Sequence, residues 1–465
     1  MSLDKLETKH PNYKKMQARW HFLYASYLGG QTYKQGHYLR KYWGEDGAPF
    51  DAYAARLDVT PLDNHLKSTV DIYRSYLWRN HPNRLLGAVR NNPFVQAFVK
   101  DTDLNGQSID SFMKTALDWA MVLGHMWISV DRPAQSTVSA QEEIELGIRG
   151  YVNLYTPQMV PDWEYEKHAS GKRVLKYLKV YEMIASDMHI IKEWYQDRVV
   201  KSVVKVDPQT GEYNEIINQQ TYPNTLGKIP FVYMAPQQSP TNEMCESMLA
   251  DVADMQRSIY NKLSELEQTI RMSGHPSLVK TAETSATGGA GGIVTIPEDL
   301  DPGLYPKLLQ PNGSVQSILD AVNHDVDSID KMTHLGAVRA VKGSGMSGEA
   351  LKTERQLLNS KLSDLADIAE ETERKIWDLW FEWMDINKPE DFSIEYYKTF
   401  ETRDVGYELD ILKSALETVT SPVYRKFAEK EIAKLTIDDE EVLNQVLASI
   451  DRQPDSLPQN GNDND

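Results

Sequence analysis

Residues 349–386, EALKTERQLLNSKLSDLADIAEETERKIWDLWFEWMDI, are the stretch of sequence that decides the fold. Apolar residues recur along it every three or four positions: Leu358, Leu362, Leu365, Ala369, Ile376, Leu379, Trp380 and Trp383. This spacing predicts one amphipathic helix of nearly 40 residues, roughly 55–60 Å long at 1.5 Å per residue. Pro389 ends the segment, because proline cannot continue a helix.

Two further amphipathic helices are predicted upstream. In the first, an apolar face continues for about six turns through Met248, Val252, Met255, Ile259, Leu263, Leu266 and Ile270. Ser239 is a suitable N-cap for it, and Pro240 suits the first helical position. The second has an apolar face of Ile318, Val322, Val326 and Ile329. A polar stripe lies on another face of this second helix, and it consists of Asp320, His324 and Asp327.

The rest of the chain predicts a helical N-terminal part followed by a β region. Residues 1–130 have helical periodicity, and HMWISVDRP at 125–133 is typical of a strand that ends at a proline. Between 148 and 235, segments rich in β-branched and aromatic residues alternate with turn clusters, which indicates antiparallel strands. Residues 392–400 predict one more strand. We therefore expect an α+β fold that is mainly α.

Two glycine-rich segments separate the long helices. The first, residues 274–313, is rich in proline and contains TAETSATGGAGG at 281–292, so it predicts two short strands around a flexible loop. The second, LGAVRAVKGSGMSG at 335–348, lies directly before the longest helix and predicts a mobile loop.

Composition and charge exclude several classes of protein. The 465 residues predict about three structural units. A formal net charge of −18 argues against a protein that grips nucleic acid with its whole surface, because that task needs lysine and arginine. The one cysteine, Cys245, rules out a disulfide framework or a thiolate zinc site within one chain. No run of about 20 apolar residues predicts a membrane span, and the start of the chain lacks the apolar region of a secretory signal.

No constellation of residues points to catalysis. Gly343, Gly345 and Gly348 spell G-x-G-x-x-G, but a dinucleotide site needs a short crossover helix after it, and here the helix is far too long. The histidines lack metal-ligand spacing, and Cys245 has no matching histidine and acid. We therefore expect no enzyme activity, no metal and no cofactor.

The order of these parts resembles that of tailed-bacteriophage portal proteins, over roughly residues 10–450. Each motif is loose alone, whereas their order is specific. The stretches that carry the resemblance are GHMWISVDRP (124–133), RGYVNLYTPQMVPDW (149–163), LGKIPFVYM (226–234), SMLADVADMQRSIYNKLSELEQTIRMSGHPSLV (247–279) and MSGEALKTERQLLNSKLSDLADIAEETERKIWDLW (346–380).

This resemblance implies the domain order of a portal subunit. The implied domains are a wing (1–240), a first stem helix (241–273), a clip (274–313), a second stem helix (314–335), a tunnel loop (336–348), a long helix (349–387), a wing return strand (388–403), a crown (404–452) and a disordered tail (453–465).

The resemblance also implies a function and partners. Portal subunits form a ring, usually a dodecamer, at one vertex of the phage capsid, so the chain would be made in the host cytoplasm and reside in the virion. The ring conducts double-stranded DNA during packaging and ejection without sequence-specific binding. It docks the large terminase and the head–tail adaptor, and it contacts the major capsid and scaffolding proteins. No membrane partner is implied.

Candidate site residues follow from the pattern together with the resemblance. A tunnel loop would present Val338, Arg339, Val341 and Lys342 to DNA, with Gly336, Gly343, Gly345 and Gly348 as hinges. An acidic stripe of Asp320 and Asp327 would line the channel. The clip would pair with a partner along the edge Ile293, Val294 and Ile296. Because the helical seams are longer than one chain should need, the predicted subunit interface contains Val252, Ile259, Leu266, Val322 and Val326.

Two alternative functions stay open at this point. One is a helical minor head protein that binds only protein partners. The other is a nucleotide-binding phage enzyme that uses the loop Gly343–Gly348. A portal requires a ring, whereas an enzyme does not.

Overall fold

The structure is a computed structural model of the chain, which forms two compact units, Met1–Phe400 and Glu401–Asp465. The described residues are 3–45, 52–133, 140–185, 187–237, 239, 244–274, 277–282, 284–286, 294–309, 315–339, 348–400, 409, 412–414, 416, 421–436 and 440–451. Within them the fold is α+β and mainly α, as the sequence predicted.

The larger unit begins with helices and one short strand. Their bounds are α1 (Leu3–Glu7), α2 (Pro11–Leu28), α3 (Gly30–Gln35), α4 (Ala52–Val59), α5 (His65–Leu77), β1 (Asn83–Leu85), α6 (Pro93–Lys100) and α7 (Ile109–Leu123). Polar side chains cap four of these helices, α2, α5, α6 and α7. The Asn64 side chain accepts a hydrogen bond from the Lys67 amide at 2.9 Å, and Ser108 Oγ accepts one from the Ser111 amide at 3.3 Å.

Two antiparallel sheets follow, as predicted for the β region. The elements are β2 (Met126–Asp131), α8 (Ala140–Leu146), β3 (Tyr151–Tyr155), β4 (Asp162–Lys167), β5 (Arg173–Ala185), β6 (Met188–Tyr195), β7 (Arg198–Val206), β8 (Tyr213–Pro223) and β9 (Phe231–Met234). One sheet has the order β3-β2-β9, and the other has the order β4-β5-β6-β7-β8. Residues Met126 to Val130 of β2 are buried, because this strand lies in the middle of its sheet and inside the core.

The helix α9 (Ala250–Gly274), which was predicted as the first stem helix, begins later than expected. Ser239 is not helical, and Pro240 lies outside the described residues, so the predicted cap is wrong. The segment before the helix instead packs on α7: a Cβ at Gly124, whose φ is 93°, would lie 2.2 Å from the Cys245 carbonyl oxygen. Ser247 donates to the Met121 carbonyl at 3.0 Å and accepts from the Leu249 amide at 3.0 Å, and these bonds fix the start of α9.

Short strands and a second long helix come after α9. Their bounds are β10 (Ser277–Val279), β11 (Ser285–Ala286), β12 (Val294–Thr295), β13 (Lys307–Leu309) and α10 (Val315–Thr333). β10 pairs with β13 and β11 pairs with β12, both antiparallel. The segment predicted to have two strands therefore has two strand pairs within the described residues, and α10 agrees with the predicted second stem helix.

The last elements of the larger unit are α11 (Gly336–Arg339), α12 (Gly348–Met384) and β14 (Ser393–Glu395). α12 has 37 residues, about 55 Å of helix, which confirms the prediction of one very long helix. It ends where Asp385 adopts a φ of 51° and the Ile386 amide bonds the Phe381 carbonyl at 3.1 Å.

The buried face of α12 is the centre of the core. Leu362, Ile376, Trp377 and Trp380 are fully buried, and the ring of Phe98 lies 4.9 Å from Trp377 and 5.0 Å from Trp380. Trp380 also donates to the Gly150 carbonyl at 3.0 Å, which joins α12 to the strand β3. The helical seams were expected to be longer than one chain needs, but the helices and sheets of the same unit cover most of them.

The return segment after α12 is a shorter strand than predicted. Only β14 pairs, with β1, whereas the prediction covered residues 392–400. The backbone beyond β14 is held by side chains of α12 instead of a strand. The Tyr396 amide donates to Glu370 at 3.0 Å, and the Phe400 amide donates to Asn359 at 2.6 Å.

A buried ionic network ties α12 to β1 and the return segment. The Glu373 carboxylate is fully buried, and it accepts from Arg84 at 2.6 and 3.0 Å, from Tyr396 at 2.6 Å and from Trp377 at 3.1 Å. Arg84 also lies 2.6 Å from Asp110 of α7. Burial alone would lower the pKa of Arg84, but the hydrogen bond to Glu373 and the charges of Glu373, Tyr396 and Asp110 together raise that pKa.

In the smaller unit the described helices are α13 (Pro422–Thr436) and α14 (Glu440–Asp451). They pack on each other, and Ala428, Ala433 and Ile450 are buried. They lie within the segment predicted as a helical crown. The predicted tail, 453–465, lies outside the described residues.

The Glu373 network generates the first prediction. Glu373→Ala leaves the Arg84 guanidinium buried without its main partner, so we expect a loss of about 3–5 kcal/mol in the free energy of unfolding. Tyr396→Phe, which removes one bond to the same carboxylate, should cost about 1.5–3 kcal/mol. Denaturant unfolding followed by tryptophan fluorescence measures both losses. A loss below about 1 kcal/mol for Glu373→Ala would contradict the role given to the network.

Candidate functional site

The candidate site is the helix pair α9 and α10, which was predicted as the stem, together with the segment that follows them. The two helices lie side by side, and an ion pair fixes their register. Lys262 Nζ of α9 lies 2.6 Å from Asp325 Oδ2 of α10 and also donates to the Ala321 carbonyl at 3.3 Å. Because the Asp325 side chain is only 7% exposed, this pair is largely shielded from solvent, and loss of Lys262 would leave a nearly buried carboxylate.

The predicted acidic stripe lies on the solvent face of α10. Asp320 and Asp327 are both exposed, and they are two helical turns apart, about 10 Å along one face. His324, between them, is exposed as well. Gln316 donates to Asp320 at 2.8 Å, so the N-terminal end of the stripe is positioned by a neighbour one turn away. The stripe is therefore an accessible negative surface, and its place in a channel stays a prediction.

The predicted subunit interface requires correction. Val252 is 2% exposed, Ile259 is 1% exposed and Val322 is 8% exposed, so these three side chains are already covered by their own chain. They belong to the core of the unit and offer no surface to a neighbour. Leu266 and Val326 are half-buried and keep some accessible surface. Helical spacing identified the apolar face correctly but not what covers it.

The start of the predicted tunnel loop is the short helix α11. Val338 is 37% exposed, in agreement with a projecting apolar residue. Arg339 differs from the expected free cation: it lies 2.6 Å from Asp330 of α10 and donates to Ser68 at 3.1 Å and Thr69 at 3.2 Å. These bonds anchor the end of α11 to α5 and α10.

Of the other predicted loop residues, two lie in the described part of the chain and four lie outside it. Gly336 lies in α11, and Gly348 is the first residue of α12. Val341, Lys342, Gly343 and Gly345 lie outside the described residues. The DNA-facing role of the loop and its hinges therefore stays a prediction.

The predicted partner edge of the clip is partly described. Val294 lies in β12 and is 43% exposed, whereas Ile296 follows the strand and is half-buried. Ile293 lies outside the described residues. Among the described residues, β12 pairs only with β11, so its other edge is open to a further strand.

The described residues contain no group of three or more His, Cys, Asp or Glu side chains that could hold a metal ion. Cys245 is 3% exposed and packs in the core. Within the same part of the chain, no helix is long and apolar enough to cross a membrane.

Several contacts around the site were not foreseen from the sequence. Lys262 with Asp325 and Arg339 with Asp330 join residues 63 and 9 positions apart. Opposite charges at such separations give no periodic signal. The packing of α9 on α10 brings the first pair together, and the turn from α10 into α11 brings the second pair together.

No protein-family model matches the chain, and no curated protein matches its sequence. Among solved structures, one described as "Neck of empty GTA particle computed with C6 symmetry" is similar, with a TM-score of 0.40 and 10% sequence identity. The match covers 88% of this chain and 95% of that chain. At this TM-score the similarity assigns neither a family nor a function.

The burial of the stem seam generates the second prediction. Ile259→Asp places a carboxylate in the core of the single chain, so we expect the chain itself to lose its fold, at a cost of several kcal/mol. Asp327→Ala, on the exposed face of α10, should leave the melting temperature unchanged. Circular dichroism melting of both variants tests this. A folded Ile259→Asp chain with a parental melting temperature would mean that the side chain is not in the core.

Proposed function

We propose that the chain is the subunit of a portal ring, through which double-stranded DNA enters and leaves a phage capsid. The observation that carries the proposal is the succession of two packed stem helices around a small β module, then a loop, then a 37-residue helix fixed in the core. This succession is the one on which the resemblance to portal proteins rests. The mass of the assembly gives the number of subunits, and twelve is the number we expect.

The length and packing of the stem support this proposal. α9 has 25 residues and α10 has 19, which correspond to about 37 Å and 28 Å of helix. The Lys262–Asp325 pair keeps them in register, and the face of α10 that carries Asp320 and Asp327 remains free of the core. A ring of such hairpins would enclose a passage with acidic walls.

Acidic walls suit a passage for DNA. Each chain has a formal net charge of −18, and phosphate groups are repelled by carboxylates. DNA that must slide needs few attractive contacts, because a tight site would retain it. Lys342 of the tunnel loop would supply weak, sequence-independent contacts to phosphate, whereas Arg339 is already paired with Asp330.

The proposed partners follow from the position of each part. The clip, residues 274–313, would dock the large terminase during packaging and the head–tail adaptor afterwards. The open edge of β12 suits pairing with a neighbouring strand. Outside the clip, the ring would contact the major capsid and scaffolding proteins, and the chain would reside in the virion.

We propose no catalytic turnover for the protein itself.

The alternatives to a portal subunit are a helical minor head protein, which would not close a ring, and a phage enzyme that binds a nucleotide at Gly343–Gly348. Gly348 begins a 37-residue helix, far longer than a crossover helix of a dinucleotide-binding fold, and this disfavours the enzyme. Nucleotide binding or ATP hydrolysis by the purified chain would support that alternative.

Assembly generates the third prediction. The purified chain, at 53.0 kDa, should form a closed species of twelve subunits, about 640 kDa, in light scattering after size-exclusion chromatography. Negative-stain images of that peak should contain rings with an axial hole. If the parental chain stays monomeric or dimeric over a range of protein and salt concentrations, this result would contradict the portal proposal.

The tunnel loop generates the fourth prediction. Lys342→Ala should leave the melting temperature and ring assembly unchanged but alter the amount of DNase-protected genome in assembled heads. Arg339→Ala should instead lower the melting temperature, because Arg339 holds Asp330, Ser68 and Thr69. Lys331→Ala, an exposed lysine of α10, is the matched control. Parental DNA packaging and retention by Lys342→Ala heads would mean that the loop does not contact DNA.

A further inference from the structure

The N-terminal segment, residues 3–9, lies against one face of the five-stranded sheet. We propose that this segment is a strap, which opens and closes on the sheet while the rest of the larger unit stays folded, and that Lys179 of β5 holds it closed. The contacts that fix the strap lie within one chain, so the device does not depend on ring formation.

The two faces of this sheet have different surroundings. Leu178 and Val180 of β5 are fully buried in the main core of the larger unit, together with Trp194 of β6. Side chains alternate between the two faces of a strand, so Lys179 points away from that core. On its face lies a separate apolar cluster, whose buried members are Leu6, Ile191, Val204 and Val206. The strap, which supplies Leu6, therefore covers a part of the sheet that does not pack on the main core.

The side chain of Lys179 is fully buried, and its ammonium group bonds the backbone of the strap. Nζ donates to the carbonyl oxygens of Lys5 at 3.3 Å and Leu6 at 3.1 Å, and to that of Thr8. An ammonium group has three N–H donors, so these bonds use all of them. They also give partners to carbonyl groups at the end of a helix, which have none within it. The Asp162 carboxylate, 3.8 Å from Nζ, offsets the buried positive charge.

Further contacts join the strap to other strands of the sheet. Lys5 Nζ donates to the Tyr195 hydroxyl of β6 at 3.3 Å. The Glu7 carboxylate accepts from the Tyr213 amide, at the start of β8, at 2.9 Å. Leu6 packs with apolar residues of β6 and β7. Together with the bonds from β5, these contacts connect the closed strap to the strands β5 to β8 and hold those strands in place on one face.

Little burial opposes the opening of the strap. Of the residues from Lys5 to Lys9, only Leu6 is buried, and the others are exposed. A segment with few buried side chains opens at a lower free energy than the core does. The bonds from Lys179 are therefore a large part of what keeps the strap closed.

The chain is fixed directly after the strap. The His10 amide donates to the Pro161 carbonyl at 2.9 Å, and the His10 ring stacks on Trp163 with 4.1 Å between the ring centroids. Pro11 then begins α2. Opening therefore needs a change of backbone only in the residues just before His10, while α2 keeps its place in the core.

Hydrogen exchange of the full chain, followed by mass spectrometry, tests this device. The proteins are the parental chain, Lys179→Met and Lys176→Met. Methionine keeps nearly the length of the lysine side chain but removes its donors. Lys176 is the matched control, because it lies in the same strand, is exposed and pairs with Glu164 at 2.9 Å instead of with the strap.

The expected result is a change confined to the strap. In the parental chain, residues 3–9 should have lower protection factors than α7, whose side chains are largely buried in the main core. In Lys179→Met the strap carbonyls lose their donor, and their hydration favours the open strap. Residues 3–9 should then exchange at least about 10-fold faster, which is the effect of about one hydrogen bond to a charged group. Exchange of α7 should not change, and Lys176→Met should match the parental chain.

Leu6→Ala is a second test, because it changes only the strap. It removes most of the apolar contact between the strap and the sheet, so residues 3–9 should again exchange faster while α7 does not change. Trypsin cleavage after Lys9 should be faster in both Lys179→Met and Leu6→Ala, since an open strap is accessible to the protease.

The possible contrary results concern different parts of the device. If residues 3–9 and α7 have the same protection in the parental chain, the segment opens only when the unit unfolds, and it is not a strap. If Lys179→Met does not fold, or leaves the exchange of residues 3–9 unchanged, Lys179 does not have the role of holding the strap. Leu6→Ala still tests separate opening in that case, and faster exchange of α7 in Leu6→Ala would overturn it.

Discussion

The burial of one face of α12 is the constraint on which the rest of the larger unit depends. Trp377 and Trp380 are fully buried, and they connect the helix to Phe98 of α6 and to Gly150 beside β3. A Cβ at Gly150 would lie 2.8 Å from the Trp380 ring, so the close approach of strand and helix needs a glycine there. Through this packing, helices, a sheet and the return segment all contact the same helix, α12, which is about 55 Å long.

This core also fixes the position of α9 and α10, the two helices predicted as the stem. α5 packs against α9 through the bond from Leu66 to Gln256, and it reaches the end of α10 through the bond from Tyr73 to the Thr333 carbonyl at 2.6 Å. The inner faces of α9 and α10 are therefore already buried within one chain. The outer surface remains accessible, and it includes the acidic face of α10. A ring built on that surface would form from already folded subunits, because its contacts are not those that hold the subunit together.

Periodicity predicted the parts of the fold that local patterns determine. The helix α12, the stem helices and the antiparallel β region all follow from apolar spacing and turn residues, and their bounds agree to within a few residues except at the start of α9. There, Ser239 and Pro240 gave a good local cap signal, but packing of the Cys245 segment on Gly124 starts the helix later. Local chemistry could not reveal that contact, which joins residues 121 positions apart.

The candidate site was predictable only in part. The exposed acidic stripe at Asp320 and Asp327 follows from the helical pattern. For Ile259 the same pattern fits a core residue and an interface residue equally well, so the sequence could not show whether its own chain or a neighbour covers that side chain. Pairing of Arg84 with Glu373, 289 positions apart, has no signal in a single sequence. It depends on tertiary packing.

The most direct test of the portal account is the cryo-electron microscopy structure of the assembled protein. The account predicts a closed ring around an axial channel wide enough for duplex DNA, with the α10 face of Asp320 and Asp327 turned toward the axis. An assembly without an axial channel, or a ring in which that face of α10 lies on the outer surface, would contradict it.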